Sequence, residues 1–202
     1  MCKEKIMAQG IGINNGDYPC KNEGKILKEY DLWSGMLERC TGKWHDRYTS
    51  YYGVSCSENF KRYSFFYEWC QEQKGFDIKD DNGKSWCLDK DILVKGNKVY
   101  SEDVCVFVPQ RINKLLTNRK KERGEQLIGV SWYSRDQNYV SRCNNGTGVP
   151  KHLGYFGTEM EAFLAYKSFK EHYIKEIAND YRTQLDPRAY QALMNYQVEV
   201  TD

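Results

Sequence analysis

Three short strand-like runs followed by one long helical pattern constrain the fold of this chain more than any other feature. The runs are rich in β-branched and aromatic residues, are separated by polar turn residues, and span residues 128–133, 138–143 and 151–156. Thr158 and Glu161 then have the spacing of a helix capping box, and apolar residues recur at helical spacing up to Ala178. This order predicts a three-stranded antiparallel sheet packed on one helix.

A second pattern, in residues 86–113, predicts two strands and a short helix. The segment begins with Trp-Cys-Leu-Asp-Lys-Asp-Ile-Leu, and a Lys-Gly-Asn-Lys sequence marks the turn that follows. The apolar run 105–108 predicts the second strand, which ends at Pro109. Because proline is tolerated at the start of a helix, we predict that residues 110–116 are helical.

This second segment resembles the ββα-metal unit of HNH nucleases, in the version carried by phage and prophage proteins. In the resemblance, Asp89 takes the place of the acidic metal ligand, and Asn113 that of the metal-side residue on the helix. Lys90 stands where the family has its histidine base, and Val104 where it has the asparagine that orients the base. Together with an aromatic lead-in, the resemblance covers residues 33–118.

The two departures bear on activity, because an HNH site needs a neutral imidazole to take a proton from water and a metal to stabilise the leaving oxygen. A lysine is protonated near neutral pH and binds phosphate more readily than it acts as a base. We therefore predict a degenerate site. Its candidate catalytic residues are Asp89, Lys90 and Asn113, and its candidate ligands, if the nuclease is active, are Asp89, Asp91 and Asn113 for Mg²⁺. The alternative is that these are charges at a strand end and an amide on a helix surface.

The C-terminal pattern resembles the ethylene-response-factor (APETALA-type) DNA-binding domain over residues 128–181. The signs are Gly-Val-Ser-Trp at the start, Tyr-Val on the second strand, Leu-Gly-Tyr-Phe on the third, and Thr-Glu leading into an alanine-containing helix. Family members lay the outer face of the sheet in the major groove of DNA. The resemblance therefore implies DNA contacts from Trp132, Arg135, Arg142 and Lys151. The alternative is a sheet that binds protein or has no ligand.

Between the two patterns lies a short basic stretch, residues 119–126, that we interpret as a linker. Arg119 and Lys120 begin it, and they are candidate contacts to DNA phosphates, which would add salt dependence rather than sequence selectivity. A solvated tether is the alternative.

Composition excludes several classes of protein. A net charge of +2 and a pI of about 8.0 exclude an acidic DNA mimic, and a non-specific nucleic-acid coat would be far more basic. The eight cysteines include no pair with the two-residue spacing of a zinc knuckle, and no apolar run near the start resembles a signal peptide, so we expect reduced thiols in a cytoplasmic protein. The alternative is a dispersed zinc site that uses Cys56, Cys70, Cys87 or Cys105. No apolar run is long enough to span a membrane.

Together these patterns predict an α+β protein of phage type that binds double-stranded DNA in the host cytoplasm and carries an inactive HNH-like site. One alternative is a metal-dependent homing or nicking endonuclease that uses Asp89 and Asn113, with Asp91 or His45 as substitutes. Another is a phage-encoded inhibitor that binds a host or defence protein through the aromatic loop 44–53. The predicted segments are an arm, an HNH-like unit with aromatic helices, the linker, the DNA-binding domain and a last helix, at residues 1–29, 30–118, 119–126, 127–181 and 182–202.

Overall fold

The computed structural model describes residues 6–41, 51–80, 82–117, 124–145 and 149–202, and these residues form an α+β fold. The chain divides into two compact units, Met1–Val108 and Pro109–Asp202. The α+β class and the C-terminal sheet packed on a helix are confirmed.

The N-terminal unit combines two helices with short paired strands. Strand β5 pairs with β7 in parallel, and β6 pairs with β8 in antiparallel. The elements are β1 (Ile6–Ala8), β2 (Gly12–Asn14), β3 (Lys21–Asn22), β4 (Lys25–Ile26), α1 (Lys28–Arg39), β5 (Ser55–Cys56), α2 (Tyr63–Glu72), β6 (Cys87–Asp89), β7 (Val99–Tyr100) and β8 (Val106–Val108).

Aromatic rings from both helices form the core of this unit. Trp33 on α1 and Tyr63 on α2 are fully buried, and their ring centroids lie 5.2 Å apart. The indole nitrogen of Trp33 donates to the backbone oxygen of Phe60 at 2.8 Å, so the polar edge of the largest ring is satisfied. Part of the predicted arm belongs to the same unit: β1 and β2 form a hairpin, and Gly12 lies directly against Trp33.

The C-terminal unit is a meander on a long helix. Strands β9, β10 and β11 pair consecutively in antiparallel and pack on α4, which begins with the predicted capping box between Thr158 and Glu161. The elements are α3 (Gln110–Leu116), β9 (Val130–Tyr133), β10 (Asn138–Cys143), β11 (Lys151–Phe156), α4 (Glu159–Asp180) and α5 (Pro187–Met194).

Helix α3 has the predicted bounds but packs in the C-terminal unit. The side chain of Lys170 on α4 is buried, and its ammonium donates to the backbone oxygen of Leu115 near the end of α3. Arg111 on α3 also donates to the Tyr173 hydroxyl at 2.9 Å. The helix that we predicted to complete a ββα unit is therefore held by α4, through a buried cation that satisfies a terminal carbonyl.

Across the described ranges, no helix combines the length and the apolar character needed to cross a bilayer.

Candidate functional site

The face of the C-terminal sheet that lies opposite α4, here called the outer face, holds a set of exposed side chains. Val130, Tyr139 and Cys143 point to the α4 side and pack in its core. Because neighbouring residues of a strand alternate between faces, Val140 and Arg142 belong to the outer face. Val140 is only 1% exposed at the middle of this face, whereas Arg142 is exposed. Val140 is paired with Ser131 on β9 and with Tyr155 on β11, and Arg142 is paired with His152. Directly paired residues share a face, so these partners belong to it as well.

Aromatic rings form a continuous row along the outer face. The guanidinium carbon of Arg135 lies 5.8 Å from the Tyr133 ring centroid, and the Tyr133 and Tyr155 centroids are 5.8 Å apart. The Tyr155 centroid is in turn 4.9 Å from that of His152. Tyr155 is 53% exposed, and Arg142 is exposed beside His152. The row therefore presents flat apolar surfaces with a guanidinium near each end.

This arrangement offers two kinds of contact to a ligand. A guanidinium carries five N–H donors in a planar fork, which matches the two acceptors on a guanine edge or the oxygens of a phosphate. Tyrosine and histidine rings offer faces for packing on sugars or bases. Arg135 is also paired with Asp136 at 2.9 Å, so Arg142 is the outer-face arginine with the stronger claim to a ligand.

Two of the predicted DNA contacts lie on the other side of the sheet. Trp132 packs edge-on against Tyr139 at 4.9 Å between ring centroids, on the α4 side. The ammonium of Lys151 lies 4.7 Å from the ring centroid of Phe169, which is on α4. The cause at Lys151 is a bulge, because the pairing between β10 and β11 shifts by one residue between Ser141 and Arg142. Arg119 and Lys120 lie outside the described residues.

The outer-face residues that the sequence analysis missed are Tyr133, His152 and Tyr155. A usable signal for Tyr133 was present, because a four-residue turn between strands pairs Tyr133 with Asn138, two places from Val140. Counting back from Arg142 in steps of two reaches Asn138, so its partner Tyr133 lies on the same face as Arg142. Alternation from the predicted contact Lys151 reaches Tyr155 in steps of two. His152 lies on this face only because of the bulge, which no turn residue in the sequence indicates.

The HNH-like segment forms a hydrogen-bonded turn in the N-terminal unit. One carboxylate oxygen of Asp89 accepts the backbone N–H groups of Asp91 and Ile92, both at 2.9 Å. The Lys90 ammonium donates to the backbone oxygen of Asn97 at 2.9 Å and to the Asp91 carboxylate at 3.2 Å. The amide of Asn97 donates back to the Lys90 backbone oxygen at 2.7 Å. These contacts close the loop between β6 and β7.

Burial decides the electrostatics of this turn. Asp89 is only 8% exposed, and burial, followed by the neighbouring Asp91 carboxylate, raises the pKa of Asp89 to about 6. The Lys90 side chain is 13% exposed and lies over the Tyr100 ring at 5.8 Å. Both residues therefore have structural partners, and neither is presented openly to a macromolecular substrate.

The predicted metal ligands do not all belong to one unit. Asp89 and Asp91 lie in the N-terminal unit, whereas Asn113 lies on α3 in the C-terminal unit. In the part of the chain that the structure describes, no group of three or more His, Cys, Asp or Glu side chains could hold a metal ion. His45 and residues 44–50 of the aromatic loop lie outside that part.

Relative to wild type, Asp89→Asn should be more stable at pH 7.5 than it is at pH 4.5. The difference in unfolding free energy between the variant and wild type should therefore rise with pH. The pKa of Asp89 is about 6 in the folded state against 3.8 ordinarily, so the folded state binds the proton more tightly. This tighter proton binding stabilises the folded state at low pH. The stabilisation, roughly 3 kcal/mol in total, is lost as the pH rises through about 6. Asparagine keeps an oxygen to accept both N–H groups and has no charge to bury.

Urea unfolding of both proteins between pH 4 and 8 measures this effect, with Asp89→Ala as the second variant. Alanine leaves two buried N–H groups without their acceptor, so it should destabilise the protein at every pH by about 1–3 kcal/mol. Parallel pH profiles for wild type and Asp89→Asn would contradict the assignment of the buried charge.

Comparison of the chain with family models, with curated proteins and with solved structures finds no match.

Proposed function

We propose that the chain binds double-stranded DNA through the outer face of its C-terminal sheet. The single observation that carries this proposal is the row Arg135–Tyr133–Tyr155–His152, with Arg142 exposed beside it. Proteins that read DNA with β-strands place exposed strand residues in a groove, where arginine reads guanine and apolar groups pack on methyls and sugars. The resemblance to the ethylene-response-factor domain, which uses this face, supports the same proposal.

The charge of the chain bounds how tightly it binds. The outer face has two arginines, one of them paired with Asp136, and the net charge of the whole chain is only +2. Electrostatic affinity scales with the number of neutralised phosphates, each lowering the logarithmic salt slope by about 0.9. With two or three phosphate contacts, the slope would be about −2 to −3. The protein is therefore a moderate binder that depends on base and sugar contacts.

Fluorescence anisotropy of a labelled random-sequence duplex tests this proposal with the full chain. Raising the salt from 50 to 200 mM should weaken binding by about 20- to 60-fold, as that slope requires. The matched single strand should bind more weakly, since it offers no groove to the sheet. Absence of binding at 50 mM, or binding that is indifferent to salt, would overturn the proposal.

For the N-terminal unit we propose an inactive HNH-like site. The support is that the Asp89 carboxylate and the Lys90 ammonium both hold the loop between β6 and β7. Plasmid nicking in Mg²⁺ or Mn²⁺ that is abolished by Asp89→Asn would instead establish the endonuclease alternative. In this proposal the protein is phage-encoded and acts on DNA in the host cytoplasm.

A further inference from the structure

Two thiols from separate parts of the sequence meet in the N-terminal unit. Cys40 follows the last residue of α1, Cys56 lies on β5, and α1 packs against β5. A hydrogen bond between the two side chains raises the pKa of Cys40 and lowers that of Cys56, so Cys40 is the donor. Both side chains are half-buried, so each is within reach of a small reagent. A disulfide requires two cysteines on elements that pack closely together, and α1 and β5 meet that requirement.

The surrounding residues hold this contact in place. Cys56 is paired with Tyr100 on β7, and the Tyr100 hydroxyl accepts a hydrogen bond from the Arg39 side chain at 3.0 Å. The end of α1 is therefore tied to the same strand pair that carries Cys56. This second connection joins α1 to β7, the partner strand of β5, and so holds α1 close to the strand that carries Cys56.

The local charges favour one thiolate beside one thiol. The hydrogen bond from Cys40 and the positive charge of Lys61 lower the pKa of Cys56. The same hydrogen bond, together with burial, raises the pKa of Cys40. A thiolate is the attacking species in thiol–disulfide exchange, so Cys56 is the nucleophile and Cys40 the resolving thiol.

We propose that Cys40 and Cys56 form a redox-active dithiol, which a small-molecule disulfide such as oxidised glutathione converts to a disulfide joining α1 to β5. The Cys56 thiolate attacks one glutathione sulfur, forms a mixed disulfide and releases one glutathione thiolate. Cys40 then loses its proton to the released thiolate or to solvent and attacks the Cys56 sulfur, which displaces the second glutathione. The two cysteines lose two electrons and two protons, and one oxidised glutathione becomes two reduced glutathiones.

Other thiols in the described ranges are less suited to this reaction. Cys70, Cys105 and Cys143 are buried, and burial raises the pKa of each. Cys20 is half-buried but accepts a hydrogen bond from the Asn14 amide. Cys87 is also half-buried and lies on β6, so it provides a control with similar exposure.

The test is made on the full-length protein by mass spectrometry. Protein equilibrated with oxidised and reduced glutathione is alkylated, digested and searched for disulfide-linked peptides. We expect a Cys40–Cys56 cross-link, loss of two alkylatable thiols, and reversal by dithiothreitol. Closure of the 15 residues between them should raise the thermal midpoint of the oxidised N-terminal unit by on the order of 10 °C.

Variants separate the two roles. Cys40→Ser should trap one glutathione on Cys56, because the resolving thiol is absent, whereas Cys87→Ser should form the cross-link like wild type. If Cys40→Ser does not fold, the wild-type cross-link still decides the question. Equal alkylation of Cys40, Cys56 and Cys87 after oxidation, or a cross-link between other cysteines, would overturn the proposal.

Discussion

Arg142→Ala should weaken duplex DNA binding by about 10- to 100-fold, which corresponds to the 1–3 kcal/mol that one good bidentate contact to a base provides. Arg142 is exposed on the outer face, opposite His152 and next to the tyrosine row. Its backbone N–H is held by the Gly129 oxygen at 2.8 Å, so the strand remains in place when the side chain is removed. Fluorescence anisotropy at 100 mM salt measures the change.

Lys151→Ala is the matched control for this prediction. Lys151 also carries a positive charge on the sheet, but its ammonium lies over the Phe169 ring on the α4 side. Its loss should change DNA affinity by no more than about twofold, since an exposed charge off the binding face acts only at a distance. Equal losses from the two alanine variants would mean that the sheet contributes net charge and not a binding face.

Arg142→Lys separates base reading from phosphate contact. Lysine keeps the charge and loses the planar fork, so a bidentate contact to guanine is lost while a phosphate contact is largely retained. If Arg142→Lys binds DNA as weakly as Arg142→Ala but keeps the salt slope of wild type, Arg142 contacts a base. Nearly full affinity would identify a phosphate contact.

Gly129→Ala should destabilise the C-terminal unit by roughly 3–5 kcal/mol, the largest stability effect that we expect from a single methyl group. Gly129 has φ +79°, and a Cβ atom there would lie 2.0 Å from Cδ2 of Tyr166. Tyr166 is 6% exposed in the core on α4, so its ring has little room to move. The strain would also displace the Gly129 carbonyl that holds Arg142, so DNA binding should fall in parallel.

Gly124→Ala is the matched control for the steric part of that effect. Gly124 has almost the same φ, +77°, but the nearest atom to its Cβ would be Oε1 of Gln126 at 3.9 Å. Only the backbone cost remains, roughly 1–2 kcal/mol. Urea unfolding of both variants gives the comparison. A similar loss of stability in the two would mean that φ dominates and that Tyr166 yields to the added methyl group.

Much of the C-terminal unit could be predicted because its signals are local. Thr158 and Glu161 cap each other across three residues, and Asp186 accepts the backbone N–H of Arg188 at the start of α5. These interactions operate between residues a few positions apart, so their spacing in the chain is sufficient evidence for them. Strand alternation is equally local, and the sheet order follows from short connections.

The two features that could not be predicted depend on contacts between distant residues. The bulge between Ser141 and Arg142 moves Lys151 to the α4 side, and it is defined only by the pairing of β10 with β11. Helix α3 follows the N-terminal unit in sequence, yet the bond from Lys170 to Leu115 spans 55 residues and holds it on α4. The spacing of residues along the chain does not indicate such contacts, because they form only when the elements pack together. The helices and strands of this protein therefore follow from short-range interactions, whereas long-range packing determines which side chains share the outer face of the sheet.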